Sequence, residues 1–137
     1  MLTPDQMAAI HRACFTTPRP WSASEIAGLL DSPHCFTCVS KDGFLLGRAV
    51  AGEAELLTLA VNPAAQGRGI GAQLVDMFLD AARGRHSAQA FLEVAENNPA
   101  AIHLYLKKGF QHTGKRPAYY HFPDGSTAAA LNFSFFF

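Results

Sequence analysis

Three glycines at alternate positions, Gly67, Gly69 and Gly71, are the residues whose type and spacing most directly suggest chemistry. They follow an apolar segment that predicts a buried strand, and they precede a segment with helical periodicity. A glycine-rich loop at the start of a helix points several backbone N–H groups outward, at the positive end of the helix dipole. This segment therefore predicts a binding site for an anionic group such as a phosphate.

Three phosphate-bearing ligands are compatible with such a loop: a dinucleotide, a nucleoside triphosphate and coenzyme A. A Rossmann site would have its strand near the start of the unit and an acidic residue about 20 residues further on, whereas three antiparallel strands are predicted to come first here. A Walker loop ends in Gly-Lys-Ser/Thr, whereas this loop ends in Gly71-Ala72. A turn that serves only tight packing stays open at this point.

The cysteines and histidines do not predict a metal or redox site. Cys35 and Cys38 form a Cys-x-x-Cys pair, but this segment is predicted to be a strand, in which side chains three apart point to opposite faces. The odd total of three cysteines, without a second ligand pair, favours buried apolar thiols. The histidines lack metal-ligand spacing, and we expect each to be a surface or packing residue: His11, His34, His86, His103, His112 and His121.

Two helices are predicted to precede the sheet. Residues 4–15 have helical spacing, and a proline-rich turn at 17–20 ends that helix. Ser22 and Glu25 have the spacing of a capping box, in which each side chain accepts a hydrogen bond from the other residue's backbone N–H. The second helix is therefore expected to start here.

A β-hairpin and a central strand are predicted next. The two strands of the hairpin, 35–40 and 44–51, flank a turn in which Asp42-Gly43 is expected to supply positive φ. The third strand, 55–61, is too apolar to be an edge strand.

The second half of the chain predicts the elements of a mixed sheet with a right-handed crossover between parallel strands. The fold class is therefore α/β, or α+β by a stricter definition. The predicted elements are a helix from the glycine loop to about Arg83, a strand 88–94, a helix 98–108 ended by Gly109, and a closing antiparallel pair, 110–115 and 128–135.

Composition excludes several function classes. The chain has 137 residues with 11 Lys+Arg and 11 Asp+Glu, so it has no broad positive field for nucleic acid or an anionic membrane. No apolar run is long enough for a membrane-spanning helix, and the N-terminus does not resemble a secretory signal. We expect a cytoplasmic protein that forms a single domain over residues 1–137, with neither nucleic acid nor membrane as a partner.

Two motifs carry a resemblance to a known family. In the segment 57–71, Gln66, Gly69 and Gly71 occupy the Gln/Arg-x-x-Gly-x-Gly/Ala signature, and the segment 92–110 follows the pattern Leu-Glu-Val…Asn-x-x-Ala-x-x-Leu-Tyr…Gly-Phe. Both resemble the core of the GNAT acetyltransferase superfamily, in the right order and at the right separation. The resemblance covers nearly the whole chain. It implies a mixed central sheet of about six to seven strands flanked by about four helices, with acetyl-CoA as cosubstrate and no metal.

Within the superfamily, the pattern is most similar to the bacterial ribosomal-protein-alanine N-acetyltransferases, which acetylate the N-terminal alanine of a small-subunit ribosomal protein. The similarity is carried by Pro20-Trp21, by Glu93 and by an Arg-x-x-Tyr-Tyr loop at 116–120. The chain departs from that pattern at Gly67 and Ala95, where arginine is common, and in its phenylalanine-rich C-terminus.

The resemblance implies roles for individual residues. Glu93 is expected to be the general base, acting through a water, and Tyr105 to protonate the coenzyme A thiolate, while a backbone N–H near Val61 is expected to bind the thioester oxygen. Asn98 is expected to contact the coenzyme and also fits an N-cap. The acceptor is expected beside Trp21, Tyr119 and Tyr120. The full set of implied coenzyme-binding residues is Leu59, Ala60, Val61, Gln66, Gly67, Arg68, Gly69, Ile70, Gly71, Ala72 and Asn98.

The identity of the acceptor stays open between classes. A peptide N-terminus is the first expectation, and a small-molecule amine, a free amino acid, a polyamine or a protein lysine is the alternative, because acceptor loops vary on one scaffold. A non-catalytic acyl-CoA-binding module is a third alternative. Both a monomer and a weak homodimer are compatible with the sequence.

Overall fold

The computed structural model describes residues 2–15 and 19–137. This part of the chain forms four α-helices, six strands and a short 3₁₀ helix at Pro63–Ala65. In chain order the elements are α1 (Pro4–Cys14), α2 (Ala23–Leu30), β1 (Cys35–Ser40), β2 (Gly43–Val50), β3 (Glu53–Val61), α3 (Ile70–Gly84), β4 (Gln89–Ala95), α4 (Pro99–Lys107), β5 (Gln111–His121) and β6 (Thr127–Phe136).

The helix starts follow the local chemistry of the sequence. The predicted capping box is present at the start of α2, where Ser22 and Glu25 exchange side-chain and backbone hydrogen bonds. Thr3 and Gln6 form a second capping box at the start of α1. Of the proline-rich turn predicted at 17–20, residues 17 and 18 lie outside the described residues.

The strands form one sheet in the order β1-β2-β3-β4-β6-β5. Neighbouring strands are antiparallel except β3 and β4, which are parallel. The prediction that the strand following the hairpin is not an edge strand is therefore confirmed. Helices α1 and α2 pack on one face, where Met7 and Ile26 contact Phe44. Helix α3 packs on the other face, and each fully buried side chain there, such as Phe78, contributes roughly 1.5–3 kcal/mol.

Strands β3 and β4 separate part-way along their length. In this fully described region their pairing stops after Glu55 and Phe91. The register of β3 against β2 shows the reason, since Leu46 lies opposite Thr58 while Gly47 lies opposite Leu56. Leu57 is thus an extra residue, and such a β-bulge bends the strand that carries it. The carboxyl ends of β3 and β4 consequently leave an opening between them.

Two sequence expectations about turns and strands are wrong. Gly43 does not have positive φ; it begins β2, where a Cβ would lie 2.9 Å from the Ala60 carbonyl oxygen. Positive φ occurs instead at Ala51 and Gly52, in the next hairpin. The second error concerns the strand that was predicted to end at Lys115. This strand, β5, continues to His121, so the Arg-x-x-Tyr-Tyr segment is part of a strand.

The cysteines behave as apolar residues. All three are free thiols in the described part of the chain, and Cys38 is buried. Burial raises the pKa of the Cys38 thiol to about 11, so it stays protonated at neutral pH. None of the described helices is long and apolar enough to cross a lipid bilayer.

Candidate active site

A cavity of about 380 Å³ lies where the glycine loop meets the end of β3. We call it the glycine-loop cavity. It contains most of the residues that the sequence predicted for the coenzyme, whereas Arg68 and Ala72 lie outside its lining. The cavity is lined by Cys14, Phe15, Leu59, Ala60, Val61, Ala65, Gln66, Gly67, Gly69, Ile70, Gly71, Asn98, Ala100, Ala101 and Leu104.

The backbone of the glycine loop makes this cavity suited to an anion. Gly67 and Gly69 have φ values of 82° and 80°, a conformation that disfavours any residue with a Cβ. Apart from the adjacent residues in the chain, no atom of the described residues lies within 4 Å of a Cβ built on either glycine. The first intrahelical hydrogen bond of α3 is donated by the Gln73 N–H to the Gly69 carbonyl oxygen. The three preceding N–H groups therefore lack an intrahelical partner at the positive end of the helix.

Side chains near this loop serve mainly to hold it. The Gln66 Nε2 group donates to the Val61 carbonyl oxygen at 3.1 Å, and the Cys14 thiol donates to the same oxygen at 3.1 Å. These bonds fasten the loop and α1 to the free end of β3. Asn98 is the N-cap of α4, and its Oδ1 accepts from the Ala101 N–H at 3.2 Å. The N-cap prediction for Asn98 is thus confirmed. Because Oδ1 is used in the cap, the side-chain Nδ2 is the group of Asn98 that can donate to a ligand.

A second cavity of about 510 Å³ opens between the separated ends of β3 and β4. We call it the aromatic cleft. It shares Cys14, Phe15, Leu59, Asn98 and Ala101 with the glycine-loop cavity, so the two are adjacent. The rest of its lining is His11, Trp21, Leu56, Leu57, Thr58, Glu93, Val94, Ala95, Asn97, Tyr105, Tyr120 and Phe122.

Glu93 is the acidic side chain of the aromatic cleft. Its strand neighbours Leu92 and Val94 are buried against α3, so alternation along β4 turns Glu93 to the opposite face. The side chain of Glu93 is 28% exposed, and the Arg116 Nε lies 3.6 Å from its Oε2. The carboxylate is therefore accessible from the cleft and held beside a cation. The neighbouring pair, Glu96 and Lys115 at 3.6 Å, lies outside the cleft lining.

Two tyrosines reach the cleft and a third does not. Tyr105 on α4 is 6% exposed and packs edge-on against Phe110. Burial raises the pKa of Tyr105 far above its usual value, so its hydroxyl keeps its proton at neutral pH. Desolvation, followed by the charge of Glu93, raises the pKa of Tyr120. Tyr119 is 48% exposed, packs edge-on against Tyr120 and lies outside the lining, so the structure does not bring it to the predicted acceptor position.

Sequence reasoning missed His11 and Thr58 as residues of the cleft. His11 is 2% exposed, and its Nε2 lies 3.0 Å from the Thr58 Oγ1. The Trp21 backbone N–H donates to His11 Nδ1 at 3.2 Å. The spacing of His11 four residues after Met7 could have predicted its burial. Its polar partners depend on the bulge at Leu57, for which the sequence carries no signal.

Metal ligands are not clustered in this region. Among residues 2–15 and 19–137, no three His, Cys, Asp or Glu side chains lie close enough together to bind a metal ion. The polar groups that line the two cavities include backbone N–H groups, one carboxylate and tyrosine hydroxyls.

Comparison with known proteins gives relatives along most of the chain. The Mycobacterium tuberculosis N-alpha-acetyltransferase RimI is 37% identical over 122 residues, covering 82% of this chain and 75% of the relative. The Escherichia coli (strain K12) [ribosomal protein bS18]-alanine N-acetyltransferase is 32% identical over 133 residues, covering 94% of this chain and 90% of the relative.

The fold agrees with these relatives. The crystal structure of the ribosomal-protein-S18-alanine N-acetyltransferase from Escherichia coli superposes with a TM-score of 0.81 at 29% identity, over 98% of this chain and 89% of that one. The model of the acetyltransferase (GNAT) family matches residues 5–110, which include the glycine loop, Glu93 and Tyr105. The chain belongs to the GNAT family of acetyltransferases.

Proposed function

We propose that this chain, acting as one domain over residues 1–137, transfers the acetyl group of acetyl-CoA to the α-amino group of an N-terminal alanine on a ribosomal protein. The observation that carries the proposal is the adjacency of the two cavities, with Glu93 and Tyr105 lining the one and the free end of β3 lining the other. A relative at 32% identity that is named a [ribosomal protein bS18]-alanine N-acetyltransferase supports the choice of acceptor, and a relative at 37% identity is named an N-alpha-acetyltransferase. A ribosomal acceptor implies that the enzyme acts in the cytoplasm.

The glycine-loop cavity is suited to acetyl-CoA through backbone groups. The unpaired N–H groups at the start of α3 suit the pyrophosphate. The edge of β3 that has separated from β4 exposes backbone groups near Val61, which suit the amides of the pantetheine arm and the thioester carbonyl oxygen. Because the chain has zero formal net charge, affinity for the anionic coenzyme must come from these local dipoles.

Side chains of the aromatic cleft are suited to the proton transfers of the acetylation reaction. The α-amine of a peptide has a pKa near 8, so about a tenth is neutral at pH 7. The neutral amine attacks the thioester carbonyl carbon and the C–S bond breaks, while Glu93 accepts the ammonium proton through a water. The departing sulfur takes the proton of the Tyr105 hydroxyl, which solvent then restores.

The acceptor is held by apolar and aromatic side chains. Trp21 and Tyr120 line the aromatic cleft from the start of α2 and from β5. Glu93 is the only carboxylate in the lining among the described residues, so it is the one negative charge there that can attract the amine of the acceptor. This arrangement favours a short, uncharged first residue such as alanine, with its terminal amine near Glu93.

An acceptor panel tests the proposal. Purified protein and labelled acetyl-CoA are incubated with an alanine-initiated peptide, the same peptide with a blocked N-terminus but an internal lysine, a free amino acid and a polyamine. We expect the label on the terminal alanine alone, located by mass spectrometry. Turnover of the polyamine or the lysine with an inert alanine peptide would overturn the choice of acceptor. Coenzyme binding without turnover of any amine would indicate the non-catalytic alternative.

A further inference from the structure

His11 occupies an unusual position for a histidine. It lies on α1, is 2% exposed, and is in contact with both β3 and the segment that leads into α2. Its ring stacks on Trp21 with centroids 5.4 Å apart, and it packs at a tilt against the Phe15 ring with centroids 4.5 Å apart. A buried imidazole with two polar partners is held in one orientation, so its contacts can position other groups.

The two hydrogen bonds of His11 define its tautomer. The Trp21 backbone N–H can only donate, so His11 Nδ1 must carry a lone pair. In a neutral ring the proton is then on Nε2, which donates to the Thr58 Oγ1 at 3.0 Å. Thr58 accepts this bond and keeps its own hydroxyl proton to donate. Because Thr58 lines the aromatic cleft, that proton is available to a ligand.

The bulge at Leu57 makes this arrangement possible. Leu56 packs against α3, and in a regular strand Thr58 would share its face. The extra residue reverses the alternation, so Thr58 faces α1 and His11 instead. The same face of the neighbouring strand carries Glu93. The structure thus places the Thr58 hydroxyl, Trp21 and the carboxylate around one cleft.

We propose that His11 is a positioning residue of the acceptor site: it holds Trp21 against β3 and orients the Thr58 hydroxyl as a donor to a carbonyl oxygen of the acceptor peptide. This inference rests on the proposed function, since it concerns how the acceptor is bound. It assigns His11 no contact with acetyl-CoA.

Protonation of His11 would break this arrangement. A proton on Nδ1 would face the Trp21 N–H, so the bond to Trp21 requires the neutral ring. Desolvation lowers the pKa of His11, and the negative charge of Glu25 acts in the opposite direction. The neutral form therefore predominates above pH 6.5 and is lost as the pH falls further. The titratable groups that surround the ring or line the same cleft are Cys14 on α1, Glu25 on α2, Glu93 on β4, Tyr105 on α4 and Tyr120 on β5.

Steady-state kinetics of three variants test the proposal. His11→Gln lacks the rigid ring, and we expect its acceptor KM to rise about tenfold while kcat stays within about twofold and the acetyl-CoA Kd is unchanged. Thr58→Val removes only the hydroxyl and should raise the acceptor KM by a similar factor. His103→Gln changes an exposed histidine on α4 and is the matched control. Unchanged acceptor KM in both His11→Gln and Thr58→Val would overturn the inference.

Fluorescence provides a measurement that needs no acceptor. Trp21 is the single tryptophan of the chain, and its ring stacks on His11. We expect its emission to titrate below pH 6.5 in the wild type and in His103→Gln, but not in His11→Gln. A wild-type emission that does not change with pH would contradict the His11–Trp21 contact.

The failures of the two proposals are distinguishable. If the wild type does not acetylate alanine peptides, the proposed function fails at its first measurement, before any variant is compared. If the wild type is active on alanine peptides but His11→Gln matches it in acceptor KM and in the titration of Trp21 emission, the positioning role alone fails.

Discussion

The glycine-loop cavity and the aromatic cleft are adjacent and share five lining residues, yet they are built in different ways. The cavity offers backbone N–H and carbonyl groups from the end of β3 and the start of α3, and its Gly67 and Gly69 have positive φ, which disfavours a residue with a Cβ. The cleft offers side chains, and its polar groups come from α1, β3, β4, α4 and β5. Binding by backbone depends on local chain geometry, whereas binding by side chains depends on how distant elements pack.

This difference predicts that the two halves of the site tolerate substitution differently. A side chain of the cleft can be replaced without moving the backbone that forms the cavity. Conversely, a change of loop conformation alters every N–H group of the cavity together. The two halves should therefore respond to different kinds of mutation, and four predictions test this from the largest effect to the smallest.

Glu93→Gln should have the largest effect. The variant keeps the shape of the side chain but cannot accept a proton, so we expect kcat to fall about 10³-fold. The loss should deepen as the pH falls, because less of the amine is neutral. The acetyl-CoA Kd should not change, since Glu93 lies outside the glycine-loop cavity. Rapid-mixing kinetics and calorimetry measure these two quantities.

Glu96→Gln is the matched control for Glu93→Gln. Glu96 is also near the end of β4 and also pairs with a cation, Lys115, but it does not line the aromatic cleft. We expect its kcat to match that of the wild type. Equal losses in both variants would show that charge near the cleft matters and that a specific base does not.

Tyr105→Phe should have the second largest effect. Because burial raises the pKa of Tyr105, its hydroxyl is a proton donor throughout the accessible pH range. Removing it should lower kcat about 10²-fold, by a similar factor from about pH 6 to about pH 9. Tyr119→Phe, outside the cleft, should not change kcat. A loss of acetyl-CoA affinity without a loss of kcat would remove Tyr105 from the proton-donor role.

Gly69→Ala should weaken acetyl-CoA binding in the glycine-loop cavity without changing acceptor binding in the aromatic cleft. Its φ of 80° costs a residue with a Cβ roughly 1–2 kcal/mol, so the loop should shift and the acetyl-CoA Kd should rise about tenfold. The acceptor KM at saturating acetyl-CoA should stay the same. Gly84→Ala, at the far end of α3 and without positive φ, is the matched control and should not weaken binding. A raised acceptor KM in Gly69→Ala would mean that the two halves are not separable.

Much of the fold could be predicted because its signals are local. The Ser22–Glu25 capping box, the β-hairpin and the glycine that ends α4 each depend on a few consecutive residues. The errors occurred where tertiary contacts decide. Gly43 is required by the close approach of the Ala60 carbonyl and not by its turn, and the length of β5 depends on its pairing with β6.

The site, too, contains residues that local sequence signals predict and residues that only tertiary contacts bring together. The glycine loop was predicted from three residues, because the positive φ and the helix start are encoded where they act. The contact between Thr58 and His11 could not be predicted, since the bulge at Leu57 that brings them together appears only in the pairing of β3 with β2. A second irregularity, between Arg116 and Tyr120, places Tyr120 in the cleft and leaves Tyr119 outside.

The prediction with the smallest expected effect tests whether backbone geometry also contributes to acceptor binding in the aromatic cleft. Ala118 lies in the irregular stretch of β5 with φ of 50°, and Ala51 has φ of 55° in the β2–β3 turn. Alanine to glycine at either position should relieve strain and raise the free energy of unfolding by about 1 kcal/mol. Only Ala118→Gly should also loosen the segment that positions Tyr120, raising the acceptor KM about twofold to threefold. Denaturant titration and steady-state kinetics measure both. Equal stability gains with unchanged KM in Ala118→Gly would show that the cleft depends on side chains alone, whereas a raised KM would show that the conformation of β5 is part of acceptor binding.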